Sequence, residues 1–284
     1  MNGRLMDKVT LITGAGTGIG EAIAYKFAAE GAKLLLNGLP GDPVADVADK
    51  ARELGADVAT CIADIAEEDH ARRCVQSALD TYGRLDVLIN NAGVFPEVNE
   101  TQDFSVDAFD TLLRYNVRSA FLMTRYALPH LQETHGVIVS AGSEAGFIGL
   151  PQAAVYGGTK AWMHGFMEGV AVEQAQYGVR ANCVSPGAVD TAWTHKETGP
   201  MDAEMEDTMI AATPLGRRGS PEEIANVYAF LASDEASFVT GALYLVDGGI
   251  TKAKGSVGNK VPEFLRKQPP QQFDERHRLD GRAG

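Results

Sequence analysis

The chain has 284 residues, of which 45% are hydrophobic and 22% are charged, and its formal net charge at pH 7 is -13. This composition is typical of a folded globular protein with a sizeable core, and the negative charge disfavours nucleic acids and anionic membranes as partners. No segment approaches the roughly 20 apolar residues of a membrane helix, and the N-terminus leads into a strand with no signal peptide, so we expect a cytoplasmic protein.

The cysteines give little sign of chemistry. Cys61, Cys74 and Cys183 are far apart in the sequence, and no two of them form a Cys-x-x-Cys pair. Their spacing does not match that of zinc ligands, and three thiols cannot all pair within one chain. We therefore expect reduced structural thiols and no metal site.

Residues 1–250 repeat one pattern, in which short apolar runs alternate with amphipathic stretches. The apolar runs predict seven strands: Lys8–Thr13, Lys33–Asn37, Val58–Ala63, Leu85–Asn90, Val137–Ser140, Arg180–Ser185 and Ala242–Val246. The amphipathic stretches predict helices over Ile19–Glu30, Pro43–Leu54, Glu67–Tyr82, Val106–Gln132, Val155–Tyr177 and Pro221–Ser233. Strands that alternate with helices predict one α/β domain, a doubly wound fold whose parallel seven-stranded sheet carries helices on both faces. Residues 251–284 lack this pattern and are interpreted as a C-terminal extension.

The first predicted strand ends in a glycine-rich turn that leads directly into a helix. Its sequence is Thr13-Gly14-Ala15-Gly16-Thr17-Gly18-Ile19-Gly20. Glycines let the backbone turn tightly and approach a pyrophosphate, whose charge is stabilised by the free N–H groups at the helix N-terminus. A glycine run alone is weak evidence, but its position between a strand and a helix predicts a dinucleotide-binding site.

Further motifs follow in a fixed order. They are Asn90-Asn91-Ala92-Gly93, Asn116, Ser143, Tyr156-Gly157-Gly158-Thr159-Lys160, Pro186-Gly187-Ala188-Val189-Asp190-Thr191 and Val246-Asp247-Gly248-Gly249. Together with the TGxxxGxG spacing of the glycine turn, this set resembles the short-chain dehydrogenase/reductase family over residues 5–250. The resemblance implies a Rossmann fold and an NAD(P)-dependent oxidoreductase.

The candidate catalytic residues begin with a tyrosine and a lysine four positions apart. On a helix, Tyr156 and Lys160 share one face, and a nearby ammonium favours the phenolate form of a tyrosine. Such a phenol would act as a general acid and base at neutral pH. The resemblance assigns the proton transfer to Tyr156, the substrate oxygen to Ser143, the nicotinamide ribose and a lowered tyrosine pKa to Lys160, and a relay water to Asn116.

The resemblance also assigns cofactor contacts to the loops that follow the strands. The predicted cofactor-binding residues are Gly14, Thr17, Gly18, Ile19, Gly20, Asn37, Gly38, Leu39, Asp64, Ile65, Asn90, Ala92, Gly93, Tyr156, Lys160, Pro186, Gly187, Val189 and Thr191. Asp64 with Ile65 matches the adenine-contacting pair, and Asn90 with Gly93 matches ribose- and backbone-contacting positions. Asn91 either contacts the cofactor or hydrogen-bonds the neighbouring backbone.

The choice between NAD and NADP depends on the end of the second strand. NAD-preferring relatives usually have an acidic residue in the place of Gly38, and NADP-preferring ones often have an arginine in the place of Leu39 or a base at Thr17. Neither signature is present, and residues 14–20 and 37–43 offer no cation for a 2'-phosphate. Asp42 either faces the 2'-hydroxyl or caps the next helix, the second being favoured. We expect NAD(H) over NADP(H).

The segment between Ala192 and Thr213 matches the substrate lid of the family. It contains Trp193, His195, Met201, Met205 and Met209. The methionines are four residues apart, which favours a core-facing helix stripe over a substrate contact. Trp193 and His195 are candidates for the pocket.

Four further side chains flank the predicted catalytic mouth: Phe95, Glu97, Glu144 and Phe147. The two carboxylates suggest a sugar, a polyol or another small polar alcohol as the substrate. No basic cluster near the mouth suggests a phosphorylated or carrier-bound substrate.

Apolar side chains on several sides of the Val155–Tyr177 helix suggest burial against a second subunit. They are Trp162, Met163, Phe166, Met167 and Val170. Family members commonly pair through this helix and through the last strand, so we expect a homotetramer, a dimer of dimers.

The sequence therefore predicts an enzyme that moves a hydride between a nicotinamide and a secondary alcohol or carbonyl carbon. The runner-up is an NADPH-dependent 3-oxoacyl-thioester reductase. A protein that senses dinucleotides without catalysis is the alternative from another class, and the presence of all four catalytic residue types disfavours it.

Overall fold

The computed structural model describes residues 3–194, 199 and 202–266, and its centre is a parallel sheet. The seven strands are β1 (Val9–Ile12), β2 (Lys33–Gly38), β3 (Val58–Ile62), β4 (Val87–Asn90), β5 (Val137–Ala141), β6 (Arg180–Pro186) and β7 (Leu243–Val246). Their order across the sheet is β3-β2-β1-β4-β5-β6-β7. Every neighbouring pair is parallel, which confirms the predicted doubly wound α/β fold.

The described helices are α1 (Gly18–Ala29), α2 (Val44–Glu53), α3 (Glu68–Tyr82), α4 (Val106–Leu112), α5 (Ser119–Thr134), α6 (Ala154–Gln174), α7 (Ala203–Ala212) and α8 (Pro221–Ala232). The predicted continuous helix over Val106–Gln132 was wrong in one respect. A π-helical segment, Leu113–Arg118, separates α4 from α5. The apolar spacing gave no sign of it, because a π segment widens the helix by a single residue.

The sheet is covered on both faces, and every residue of its central strands β1 and β4 is buried. Successive residues of a strand point to opposite faces. Ile12 packs in the core between the sheet and α1, α2 and α8. Leu11 packs in the second core, between the sheet and α3, α5 and α6. This second core also takes Met163, Met167 and Val170, which corrects their assignment to a subunit interface: α6 needs them to cover its own sheet.

The helix ends follow the chemistry of their terminal residues. Ser220 and Glu223 form a reciprocal capping box at the start of α8. Gly31 and Gly55 end helices with φ of 89° and 96°, a region that favours glycine. The N-cap residue of α2 is Pro43, and the carboxylate of the preceding Asp42 accepts a hydrogen bond from the Leu39 amide at 2.7 Å.

The chain leaves the centre of the sheet in two directions. From β1 the next strands lie on one side, and from β4 they lie on the other. The loops after β1 and β4 therefore diverge and open a crevice at the carboxyl ends of the strands, where doubly wound proteins bind ligands. Residues 251–266 continue in short 3₁₀ turns, and Gly258 packs on the backbone of α7 and Thr213. No helix in the described ranges is long and apolar enough to span a membrane.

Candidate active site

A cavity of about 880 Å³ lies at the carboxyl ends of the strands. It brings together the glycine turn, the loops after β2 to β6, the start of α6, and α7. The predicted cofactor residues on its wall are Gly14, Thr17, Gly18, Ile19, Gly20, Asn37, Gly38, Leu39, Asp64, Ile65, Ala92, Gly93, Tyr156, Lys160, Pro186, Gly187, Val189 and Thr191. Their convergence on one surface follows from the parallel sheet, because all of these loops leave the same edge.

The glycine turn brings the chain close to itself. A Cβ atom on Gly20 would overlap the carbonyl oxygen of Gly14, and Gly14 itself has a φ of 61°. This close packing sets the first turn of α1 against the cavity, where Gly18 and Ile19 lie on its wall. The first turn of this 12-residue helix carries N–H groups without partners inside the helix, and its N-cap Thr17 makes no side-chain cap hydrogen bond. The turn therefore fits an anionic group such as the pyrophosphate of a dinucleotide.

Asn90 does not lie on the cavity wall, which corrects its assignment to the ribose. Its side chain is buried on the far side and donates hydrogen bonds to the hydroxyls of Thr124 and Ser140. Asn91 faces the glycine turn instead, and its amide donates to the carbonyl oxygens of Thr13 and Gly14 at 3.1 and 3.0 Å. The structure thus shows the second of the two predicted roles of Asn91, in which its side chain hydrogen-bonds the neighbouring backbone.

The end of β2 forms the corner of the cavity predicted to bind the adenine ribose. Asn37 supports this corner, because its side-chain amide donates hydrogen bonds to the carbonyl oxygens of Cys61 and Ala63. Asp42 lines the cavity beside Gly38, and its carboxylate oxygen lies 2.9 Å from where a Cβ on Gly38 would be. A carboxylate thus occupies the space of an acidic side chain at position 38.

Asp64, predicted to contact the adenine, lies on the cavity wall and is held by an ion pair. Its carboxylate accepts hydrogen bonds from Arg114 at 2.6 Å and from the Ala66 amide at 3.0 Å. Arg114 also contacts Glu67 at 2.7 Å, so that the loop after β3 is tied to the π-helical segment. This pairing fixes the loop that carries Ile65 on the cavity wall.

Ser143 follows β5 in extended backbone and begins a short 3₁₀ turn. Its hydroxyl accepts a hydrogen bond from the Ala145 amide at 3.1 Å. The preceding Gly142 packs so closely on β6 that a Cβ there would lie 2.5 Å from the Ser185 hydroxyl. The tight packing on β6 therefore fixes where Ser143 meets the cavity.

Tyr156 lies on the cavity wall with its ring 4.4 Å from that of Phe95. Burial raises the pKa of the phenol to about 12, although a hydrogen bond with Ser143 lowers it. Lys160 is not among the causes of this shift, and its nitrogen lies 5.6 Å from the ring centroid, so a lowering of the tyrosine pKa by Lys160 stays a prediction.

Lys160 is buried beside the tyrosine, one helical turn later. Its ammonium donates to the carbonyl oxygen of Ala141 at 3.0 Å. Desolvation lowers its pKa to about 8, and the thiol of Cys183 opposes this shift. The amine therefore changes charge close to neutral pH, on the wall of the same cavity as the phenol.

Asn116 lies behind the cavity, in the π-helical segment. Its side-chain oxygen accepts from the Val94 amide at 2.7 Å, and its amide donates to the Val94 carbonyl oxygen at 3.0 Å. These bonds fix the loop that carries Gly93 on the wall. In the structure Asn116 thus positions this loop, and a relay water held by Asn116 stays a prediction.

The substrate end of the cavity differs from the sequence prediction in several side chains. Met205 and Met209 of α7 line the cavity, so the core-facing stripe was wrong; no residue of α7 is buried. Trp193 and Phe95 also lie on the wall. His195 and Met201 lie outside the described residues.

Two of the residues expected at the catalytic mouth are elsewhere. Glu97 accepts hydrogen bonds from the amide and hydroxyl of Ser105, at the start of α4. Phe147 packs on the ring of His164 with a centroid distance of 4.4 Å. Neither residue is on the cavity wall. Hydrogen bonds from Ser105 hold Glu97 at the start of α4, and the ring contact with His164 holds Phe147 against α6.

Glu144 does lie on the wall, directly after Ser143, and only 4% of its surface is exposed. Desolvation raises its pKa to about 8, and the negative charge of Asp247 adds to the shift. The carboxyl group is therefore neutral at pH 7. Its oxygen Oε2 has no hydrogen-bond partner within the described part of the chain.

Two supports of the site were missed in the sequence. Arg218 ties α7 to the loop after β6, through an ion pair with Glu206, a hydrogen bond to the Thr194 carbonyl at 2.7 Å and a contact to Asp190 at 3.9 Å. His164 contacts the Ser185 hydroxyl at 2.9 Å, and burial lowers its pKa to about 4. The spacing of His164 from Lys160, four residues on one helix face, was the available signal.

The charge of the cavity wall is strongly asymmetric. Among the described residues that line it, Lys160 is the only basic side chain. The acidic ones are Glu21, Asp42, Asp64, Glu100, Glu144, Asp190, Asp202 and Glu204. No group of three or more His, Cys, Asp or Glu in the described ranges is arranged to hold a metal ion. Asp64 is paired with Arg114 and Glu144 is neutral at pH 7, but away from the glycine turn the remaining acids favour neutral or cationic groups over further anions.

Comparisons with known proteins agree with this geometry. A family model described as Enoyl-(Acyl carrier protein) reductase matches residues 14–251. The chain is 37% identical over 253 residues to the cyclohexanol dehydrogenase of Acinetobacter sp. (strain SE19), covering 88% of this chain and 98% of that protein. It is 34% identical over 248 residues to a 3-oxoacyl-(acyl-carrier-protein) reductase of Thermotoga maritima, covering 87% and 99%. A crystal structure of a short chain dehydrogenase from Burkholderia cenocepacia J2315 in complex with NADP has a TM-score of 0.80 at 30% identity, covering 87% of this chain and 99% of that one.

The buried carboxyl of Glu144 predicts a pH-dependent stability. Its pKa is about 8 in the folded chain against an ordinary value of 4.5, so the unfolded chain loses this proton at lower pH. The free energy of unfolding should then fall as pH rises from 4.5 to 8. Between pH 5.5 and 8, the stability of E144Q relative to wild type should rise by roughly 1–3 kcal/mol. Urea unfolding at several pH values measures this. E133Q, on the exposed side of α5, is the control, and a pH-independent difference for E144Q would refute the assignment.

Proposed function

The chain belongs to the short-chain dehydrogenase/reductase family of oxidoreductases, and we propose that it interconverts a small, neutral secondary alcohol and its ketone with a nicotinamide cofactor. The observation that carries this proposal is the placing of Tyr156, Ser143 and Lys160 on one cavity wall that also contains the glycine turn. Tyr156 supplies a proton donor, Ser143 supplies a hydrogen bond to the phenol, and Lys160 supplies a cation, all within one cavity.

The glycine turn would hold the pyrophosphate, and the loop with Pro186 and Gly187 would lie along the nicotinamide. The nicotinamide, when bound, supplies or accepts the hydride. The chain's own part is to place the substrate oxygen near the hydroxyls of Ser143 and Tyr156. Because these groups are desolvated, each hydrogen bond to a developing alkoxide is stronger than it would be in water.

Tyr156 then moves the proton. With a pKa of about 12 the phenol is neutral at pH 7, which suits the donation of a proton to a carbonyl oxygen during reduction. For oxidation of an alcohol the phenol must first lose its proton. The hydrogen bond with Ser143 already favours the phenolate, and the cationic form of Lys160 would add to this effect.

The acidic wall favours a neutral substrate. A 3-oxoacyl thioester is the second candidate, because a relative carries that name. Its carriers are anionic phosphopantetheine groups, and the described part of the wall offers them Lys160 alone. A dinucleotide-binding protein without catalysis would need none of the three convergent side chains. Turnover of ketones, thioesters or neither separates the three functions.

We propose NAD(H) as the preferred cofactor because of Asp42. Its carboxylate lies on the wall beside Gly38, where it would accept a hydrogen bond from a ribose 2'-hydroxyl. The same charge would repel a 2'-phosphate. Thr17 and Leu39, where NADP-preferring relatives often have bases, are uncharged.

A cytoplasmic homotetramer remains our proposal for the assembled protein. Large apolar side chains are exposed along α4, the π-helical segment and α5: Phe109, Leu113 and Phe121. A second exposed group, Phe238 and Tyr244, lies at β7, the edge strand of the sheet. Two separate apolar patches suit two kinds of subunit contact, as a dimer of dimers requires.

The first prediction concerns the proton donor. Replacing Tyr156 by phenylalanine removes the only group proposed to transfer the proton, so kcat should fall by about 100- to 10,000-fold. Binding of NADH, measured by fluorescence titration, should stay close to wild type. Y126F is the matched control, because that hydroxyl contacts Glu68 on the surface. Wild-type turnover by Y156F would overturn the mechanism.

The second prediction concerns Asp42. The D42N variant keeps an acceptor for the Leu39 amide but loses the charge, so the ratio of kcat/KM for NAD over NADP should fall about tenfold. Steady-state kinetics with both cofactors measures the ratio. D49N, on the exposed side of α2, should leave it unchanged. A wild-type preference for NADP would contradict the cofactor assignment.

The third prediction concerns assembly. Light scattering of the purified protein should give about four times the 30.3 kDa mass of the chain. Replacing Phe121 by a charged residue should weaken one of the two contacts and produce dimers, because a charge is costly in an apolar interface. A monomer at micromolar concentration would refute the proposed tetramer.

A further inference from the structure

Glu144 is an acidic residue that the proposed mechanism does not use. It follows Ser143 in sequence, so the two residues reach the same part of the cavity from adjacent positions. It is almost fully buried, and within the described residues its oxygen Oε2 has no hydrogen-bond partner. A buried polar group without a partner is costly. Oε2 is enclosed by the protein, and Oε1 is not among the enclosed unpaired atoms, so Oε1 is the oxygen that a ligand group in the cavity would reach.

The surroundings of Glu144 do not compensate its charge. The group that acts on it is Asp247, which is also acidic. The Asp247 carboxylate is itself occupied by the Gly249 amide and by the amide and hydroxyl of Thr251. Glu144 therefore stays protonated at neutral pH. A protonated carboxyl presents one O–H donor and one carbonyl acceptor.

These features fit one kind of ligand group. A hydroxyl donates and accepts, so it can pair with a neutral carboxyl whichever of the two carboxyl oxygens carries the proton. A phosphate or carboxylate would be disfavoured by the acidic wall. Ser143, which we propose to bind the reacting oxygen, is one residue earlier, and Glu144 is near enough to Tyr156 to raise the pKa of its phenol. A hydroxyl bound by Glu144 is therefore expected on a carbon next to the reacting one.

We infer that Glu144 is a specificity-determining residue that binds a second oxygen function adjacent to the reacting carbon, so that vicinal diols and α-hydroxy ketones are the substrate class. This inference rests on the proposed alcohol–ketone chemistry. The inference also explains why a simple alcohol would be a poorer substrate, because it leaves Glu144 buried without a partner. Sites built to bind a polar group reject analogues that lack that group.

The test compares matched pairs of alcohols on the same carbon skeleton. The pairs are trans-cyclohexane-1,2-diol with cyclohexanol, and butane-2,3-diol with butan-2-ol. Dissociation constants are measured in the presence of NADH, where no alcohol can be oxidised, and kcat/KM is measured with NAD⁺. The variants are E144M, which has a similar length and no polar group, and E144Q, which keeps one donor and one acceptor. E133Q is the control.

The wild-type enzyme should prefer the diol of at least one pair by about tenfold or more, in binding and in kcat/KM. E144M should lose this preference, E144Q should keep most of it, and E133Q should keep all of it. Equal affinity for diol and mono-alcohol in the wild type, or a preference that E144M retains, would overturn the inference.

The two proposals fail in different ways. Selective diol binding that depends on Glu144, without oxidation of any alcohol, would support the inference and overturn the proposed chemistry. Oxidation of both alcohols with equal efficiency would support the chemistry and overturn the role of Glu144. Thermal unfolding of each variant shows that a changed preference does not come from a damaged fold.

Discussion

The site depends on how two diverging strand ends are held together. β1 and β4 are neighbours in the sheet, but the chain continues from them in opposite directions, so that their loops have no regular structure in common. The Thr13 hydroxyl and the Asn91 amide join these loops through a set of hydrogen bonds at 3.0 to 3.1 Å. These bonds satisfy backbone groups that the sheet cannot pair. They also fix the distance between the glycine turn and the loop with Gly93, the two sides of the crevice.

Burial sets the chemistry on the opposite wall. Desolvation acts on Tyr156, Lys160, Glu144 and His164 alike, and in each case it favours the neutral form. At pH 7 the Tyr156 phenol, the Glu144 carboxyl and the His164 imidazole are therefore neutral, and Lys160, with a pKa of about 8, is the charged member of the group. Hydrogen bonds therefore do most of the orienting in this part of the cavity. A hydride transfer that creates alkoxide character would meet donors rather than competing anions.

The sequence predicted features that depend on chain order and local spacing. The strands, the glycine turn and the Tyr156–Lys160 pair were found because apolar runs, glycines and helical spacing are local signals. It assigned Asn90 to the cofactor, whereas Asn91 lines the cavity, because consecutive residues of a strand point to opposite faces and the motif does not show which of them faces the crevice. It also did not separate Glu144 from Glu97. Glu144 is enclosed by β5, α6 and the turn after β7, whereas Glu97 is held by Ser105. Both arrangements arise only from tertiary packing.

At the end of β2, a side chain at position 38 and the observed placement of Asp42 exclude each other. A side chain at position 38 would collide with Val44 and with the carboxylate of Asp42. Glycine at 38 is therefore what allows the loop to bring Asp42 onto the cavity wall, where the Leu39 amide holds its carboxylate. An acidic residue at 38 and this placement of Asp42 cannot exist together. The same negative charge thus reaches the same space from a position four residues later, and a search for an acid at the usual position does not find it.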